Sequence, residues 1–228
     1  METMKRWICI LSGLGALWLA TAGLYALVTF LGHAHFSRAT FREPLQMRVQ
    51  PEIGQVLDSW RGVPVRYNGT PYWRSIGKHS AESGYYYGKQ WQCVEFIKRF
   101  YYDALGHEMP EVMGHAESFF DPELPHAALN PDRNLIQYQN GGREPPQLDD
   151  LIVWQQDIYG HVAIVSKVMP DEIEVVQQNV IAGTRQRLKL HKNLQGNYRV
   201  GPESGQPAGW LRQPADPRAH DDGTTPVL

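Results

Sequence analysis

The chain has 228 residues, enough for one domain of ordinary size and a smaller appendage. Its 22 Lys and Arg against 24 Asp and Glu give a formal charge of −2, and there is no basic stripe or glycine-rich phosphate loop. Nucleic-acid and nucleotide binding are therefore excluded as leading functions.

Residues 1–6 form a short basic head, and residues 7–31 carry no charge, a run longer than the roughly 20 residues that span a bilayer. Ala20-Thr21-Ala22 after the apolar core 7–19 offers a competing reading as a cleaved signal peptide. Residues 23–31 stay strongly apolar, however, which is a poor start for a soluble mature chain, so an uncleaved membrane anchor over 1–31 is expected. Lys5 and Arg6 favour a cytoplasmic N-terminus, while Arg38, Arg42 and Arg48 follow on the other side. The usual behaviour of N-terminal anchors then predicts a single-pass protein of the inner (cytoplasmic) membrane with its domain in the periplasm. Residues 32–51 read as a tether and 52–213 as the domain. Residues 214–228, rich in Pro, Asp and Gly, read as a disordered tail.

Within the domain, 55–57 and 63–65 are short extended segments around a turn at Gly62. Ile97, Phe100, Tyr101, Ala104 and Leu105 recur at helical spacing, and Gly106 is a natural stop. Cys93 falls in the first turn of that helix, where unpaired N–H groups and the helix dipole favour a thiolate. Lys98 and Arg99, one turn on, are expected on a charged solvent face. Residues 109–146, rich in Pro, Gly and Asn, predict a short helix over 111–120 and long loops able to wall a cleft. Segments 151–154, 161–168, 173–179, 188–190 and 210–211 supply an antiparallel sheet on which the helix packs, an α+β domain.

His161 opens one of those strands. A connecting loop of odd length, or a bulge, is needed to put it on the face shared by Gln177 and Asn179. A loop over 167–171 sets His161 opposite Gln177, and one over 169–171 sets it opposite Asn179. Either amide is a candidate to orient the imidazole. A thiol at a helix start facing an imidazole on a strand suits nucleophilic attack on an amide.

The other cysteine, Cys9, lies in the apolar run, so no disulfide is expected within the domain. His33, His35, His79, His107, His115, His126, His191 and His220 sit in polar, interfacial or loop-like contexts without His-x-x-x-His or Cys-x-x-Cys spacing. No metal site is expected.

Trp91-Gln92-Cys93-Val94-Glu95-Phe96, Gly160-His161-Val162-Ala163-Ile164-Val165 and Gln178-Asn179-Val180 together resemble the cysteine, histidine-dependent amidohydrolase/peptidase (CHAP) family. The likeness is in particular to the amidase domain of bifunctional glutathionylspermidine synthetase/amidase, and it runs over about residues 52–213. It implies a papain-like CHAP domain, with Cys93 as nucleophile and His161 as general base. The third residue in that amidase is a glutamate, and Gln177 stands in its place. An amide can orient the imidazole but cannot stabilise imidazolium by charge. The catalytic set expected is Cys93, His161 and Gln177 or Asn179, with the backbone N–H of Cys93 and the side chain of Gln92 or Gln90 as oxyanion donors. No cofactor is implied. The expected substrate is a peptide amide, in peptidoglycan or a small peptide conjugate. Glutathionylspermidine cleavage and a catalytically weak binding module are the alternatives.

Overall fold

The computed structural model describes residues 50–215, except 111, 157, 182 and 203. The chain divides after Gln50, and the fold described below belongs to the second unit. The apolar run at 7–31 and the tail from 216 onward lie outside the described residues, and among the described residues no helix is long and apolar enough to cross a membrane.

Two short hairpins precede the helix. Strands β1 (Val56–Trp60) and β2 (Val63–Arg66) pair antiparallel across Arg61-Gly62, whose φ angles of 45° and 81° make a two-residue turn that matches strand twist. Strands β3 (Lys78–Ser80) and β4 (Tyr86–Lys89) pair next. Helix α1 (Cys93–Leu105) follows and ends at Gly106 in the left-handed conformation, as its apolar spacing predicts. Eight strands follow: β5 (Ala128–Asn130), β6 (Leu135–Gln139), β7 (Leu151–Trp154), β8 (His161–Val168), β9 (Glu172–Val176), β10 (Arg185–Lys192), β11 (Tyr198–Val200) and β12 (Gly209–Arg212). These eight make one sheet in the order β11-β10-β9-β8-β7-β12-β6-β5, with every pairing antiparallel.

Both faces of this sheet are buried, and strict alternation divides them. Leu151, Val153, Val162, Ile164, Val176 and Leu211 face α1, where Phe96, Ile97, Phe100 and Tyr101 meet them. Ile152, Ala163, Val165, Ile173, Val175 and Trp210 face the other way, toward Leu188, Leu190 and Val200. The second face is covered by curvature. Gly141 N–H donates to Tyr198 O at 2.8 Å and Tyr198 N–H to Gly142 O at 2.7 Å, so the chain beyond β6 returns to β11 and the sheet curls toward a barrel.

The predicted helix over 111–120 reduces to a single 3-10 turn, Ala116–Phe119, and the segment predicted as long loops contains β5 and β6. Strand β6 hides its alternation because one of its core positions is a glutamine. Gln137 is fully buried, accepting from the Asp121 and Asn130 nitrogens and donating to Asp121 O.

Candidate active site

Cys93 is the first residue of α1 and is half-buried. Burial pushes its thiol up to about 11, against backbone hydrogen bonds from Val94, Val162 and Cys93 itself that favour the anion. The expectation that the helix start yields a thiolate is therefore corrected. Desolvation outweighs the first-turn dipoles, and burial disfavours the thiolate. The Val162 contact also locates the site, because Val162 directly follows His161. The first residue of α1 thus meets the first residues of β8.

His161 pairs with Trp154 across β7 and β8, its ring tilted 36° to the indole at 5.7 Å between centroids. Its Nε2 lies 3.0 Å from Gln177 Oε1. The Gln177 nitrogen donates to Gly183 O at 3.2 Å and approaches Gln186 Oε1 at 3.5 Å, which turns the amide oxygen toward the ring. An amide oxygen only accepts, so the network assigns the proton of the neutral ring to Nε2 and the lone pair to Nδ1.

The register that makes this possible contains a bulge. Val168 pairs with Ile173 around Met169, Pro170, Asp171 and Glu172, an even connection that alone would set His161 and Gln177 on opposite faces. The register then shifts between Val165 and Lys167, and Ile164 pairs with Val176. Ser166 is the extra residue, and its hydroxyl donates to Glu174 O and Oε1. The shift restores His161 and Gln177 to one face.

The Asn179 side chain bonds to Tyr72, Gln92 and Asn68. The residue adopts φ 64°, and its amide donates to Tyr72 O at 2.8 Å and Gln92 Oε1 at 2.7 Å and accepts from Asn68 Nδ2 at 3.0 Å. Strand β9 has ended by then, so continued alternation does not describe where Asn179 points. The role expected of Gln92 is corrected on the same grounds. Its amide nitrogen donates to Arg74 O and Tyr72 O, so it braces the 72–74 segment and has no N–H left for an oxyanion. The Gln90 side-chain oxygen lies against Gly77.

A buried ionic cluster lies behind the thiol, and sequence reasoning did not find it. Glu95, 0% exposed, accepts from Arg99 Nε at 2.6 Å and from Gln178 Nε2 at 2.8 Å, and it lies 2.7 Å from His79 Nδ1. Gly88 permits this closeness, since a Cβ there would stand 3.1 Å from Glu95 Cα. Arg99 and Lys98 are buried rather than on a solvent face, Arg99 by its i,i+4 pair and Lys98 with its ammonium 4.6 Å from the Tyr85 ring centroid. Of the histidines read as loop-like, His79 joins this cluster, His107 reaches Arg133 O and His126 pairs with Glu144. The readable signal was the Cys-x-Glu spacing: an acid in the first turn whose i+4 neighbour is Arg.

The 3-10 turn flanks the approach to His161. Glu117 N–H donates to Tyr159 O, and Gln155 Nε2 donates to Glu117 O and Phe120 O. A cleft of about 290 Å³ opens beside His161 and Gln177, lined further by Trp154, Val180, Gln186 and Leu188. Among the described residues no group of three or more His, Cys, Asp or Glu side chains is placed to hold a metal ion.

Residues 83–179, which contain this arrangement, match the CHAP domain family. The chain is similar to the bifunctional glutathionylspermidine synthetase/amidase of Escherichia coli (strain K12), 31% identical over 101 residues, and to that of Shigella flexneri at the same identity. It is also similar to trypanothione synthetase of Crithidia fasciculata, 27% identical over 106 residues. These matches cover 42–45% of this chain and 16% of each relative's length.

Proposed function

We propose, from the match of residues 83–179 to the CHAP domain family, that the protein is a thiol amidohydrolase using Cys93 as nucleophile and His161 as base. The observation that carries the reading is the Cys93 thiol bonded at the N–H of Val162, the residue that follows His161, whose Nε2 lies against Gln177 Oε1. The Cys93 sulfur attacks the amide carbonyl carbon as its proton passes to His161 Nδ1. The tetrahedral oxyanion draws on the Cys93 N–H, which has no helical carbonyl to bond in the first turn. His161 returns the proton to the departing nitrogen, which leaves as an amine and a thioester remains. Water then attacks the thioester, giving its proton to His161, and the carboxylic acid product departs as the thiol is restored. With the resting thiol near 11, deprotonation accompanies attack instead of preceding it.

For the substrate we favour a peptide amide, in peptidoglycan or a small peptide conjugate. The protein would be tethered to the inner membrane by residues 7–31 with its domain in the periplasm, the uncharged run being the support for this placement. The likeness to glutathionylspermidine synthetase/amidase favours a second reading, cleavage of glutathionylspermidine. Two measurements decide. The full chain is assayed on peptidoglycan stem peptide and on glutathionylspermidine, and a reporter fused after Leu228 reads the side of the membrane. Stem-peptide cleavage with a periplasmic reporter supports the first reading; glutathionylspermidine cleavage with a cytoplasmic reporter replaces it with the second. In either case Cys93→Ala and His161→Ala should each lower turnover by at least about 100-fold with the fold retained. Undiminished turnover in Cys93→Ala would refute the thiol mechanism.

A further inference from the structure

Gln177 and Gln178 are consecutive, just beyond the end of β9, and their side chains diverge, Gln177 to His161 and Gln178 to Glu95 on α1. Gln178 is 1% exposed, and its carboxamide is fully used. The oxygen accepts from Arg66 N at 2.7 Å, and the nitrogen donates to Gln92 O at 3.0 Å and Glu95 Oε2 at 2.8 Å. Gln92 O is the carbonyl immediately before Cys93, and it also receives the first helical bond, from Phe96 N–H. Glu95 lies two residues beyond the thiol, anchored in turn by Arg99 and His79. One side chain therefore grips the helix start on both sides of the nucleophile, from a strand end whose previous residue holds the base.

We propose that Gln178 is a positioning residue that sets Cys93 against His161, fastening the helix start through Gln92 O and Glu95 while Gln177 fastens the imidazole. This rests on the reading of Cys93 and His161 as a reacting pair. Gln178 touches no reacting atom. Its effect is geometric, and small displacements of a reacting pair are costly. The ionic groups around it are Glu95, Arg99 and His79, from α1 and β3.

The test is the pH dependence of Cys93 alkylation by iodoacetamide, measured on the full chain with the thermal midpoint of each variant. Wild type should show a neutral-pH component that His161→Ala lacks. Gln178→Met keeps the side chain's length and removes its hydrogen bonds, and it should lose that component. Its rate at neutral pH should fall at least about tenfold, because a displaced His161 no longer takes the thiol proton as the sulfur attacks. Gln178→Asn shortens the reach and serves the same test where the methionine variant does not fold. A lower midpoint with an unmoved alkylation profile overturns the proposal and leaves Gln178 as a purely structural buried amide. Identical profiles for wild type and His161→Ala overturn the paired reading itself, and this proposal with it.

Discussion

At Gln177 an amide, and not a carboxylate, meets the imidazole of His161. The geometry makes the consequence specific: Oε1 receives the imidazole, while the nitrogen donates to Gly183 O. Gln177→Glu would stabilise imidazolium by charge and raise the thiolate fraction of Cys93 at neutral pH. It would also turn a carboxylate oxygen toward the Gly183 carbonyl in a buried setting, at a cost of about 1–3 kcal/mol in stability. The expected outcome is faster alkylation of Cys93 at pH 7 together with a lower unfolding midpoint. A slower alkylation would mean that acceptor crowding, and not charge, governs this position.

The turn between β7 and β8 carries a constraint of its own. Gly160 has φ 63°, and a Cβ there would stand 2.5 Å from both Glu117 N and Trp154 O. Gly196 has φ 84° with nothing within 4 Å of its Cβ position, so it shares the backbone penalty without the clash. Gly160→Ala should therefore cost about 1–3 kcal/mol more than Gly196→Ala in urea unfolding. It should also lower turnover, because the displaced residue adjoins His161. Equal effects of the two substitutions would show that the 3-10 turn yields without moving the strand start.

Across the whole domain, the β1–β2 hairpin is tied to the sheet by a fork. Arg185 on β10 donates to Asp58 Oδ2 at 2.7 Å and Oδ1 at 3.1 Å, with Thr184 adding a third bond. The hydrogen bond from Arg185, set against partial burial, holds the Asp58 carboxyl below its ordinary range. A carboxylate depressed on folding contributes stability that is present above its unfolded ionisation, about pH 4, and is lost as pH falls through the folded value. Asp58→Asn should be less stable than wild type at neutral pH, by no more than about 1 kcal/mol for a partly exposed pair. The two curves should converge in acid. A constant difference at all pH values would assign the effect to shape instead of charge.

The sequence alone was enough for what is local. Apolar spacing and Gly106 set α1, and the apolar runs at 151–154 and 161–168 announced central strands, because burial on both faces needs apolar residues at every position. It also paired His161 with a short choice of amides, since alternation is a property of a single strand. Choosing between Gln177 and Asn179 needed the bulge at Ser166 and the left-handed turn at Asn179, which depend on partners far along the chain. The Cys93 thiol was misread for a related reason. A helix start is visible locally, whereas desolvation comes from residues that fold over it. Lys98 and Arg99 looked like a solvent face until Glu95 and the Tyr85 ring supplied buried partners. Strand β6 stayed hidden because its buried glutamine is satisfied only by hydrogen bonds from the 121 and 130 segments, which tertiary folding brings to it.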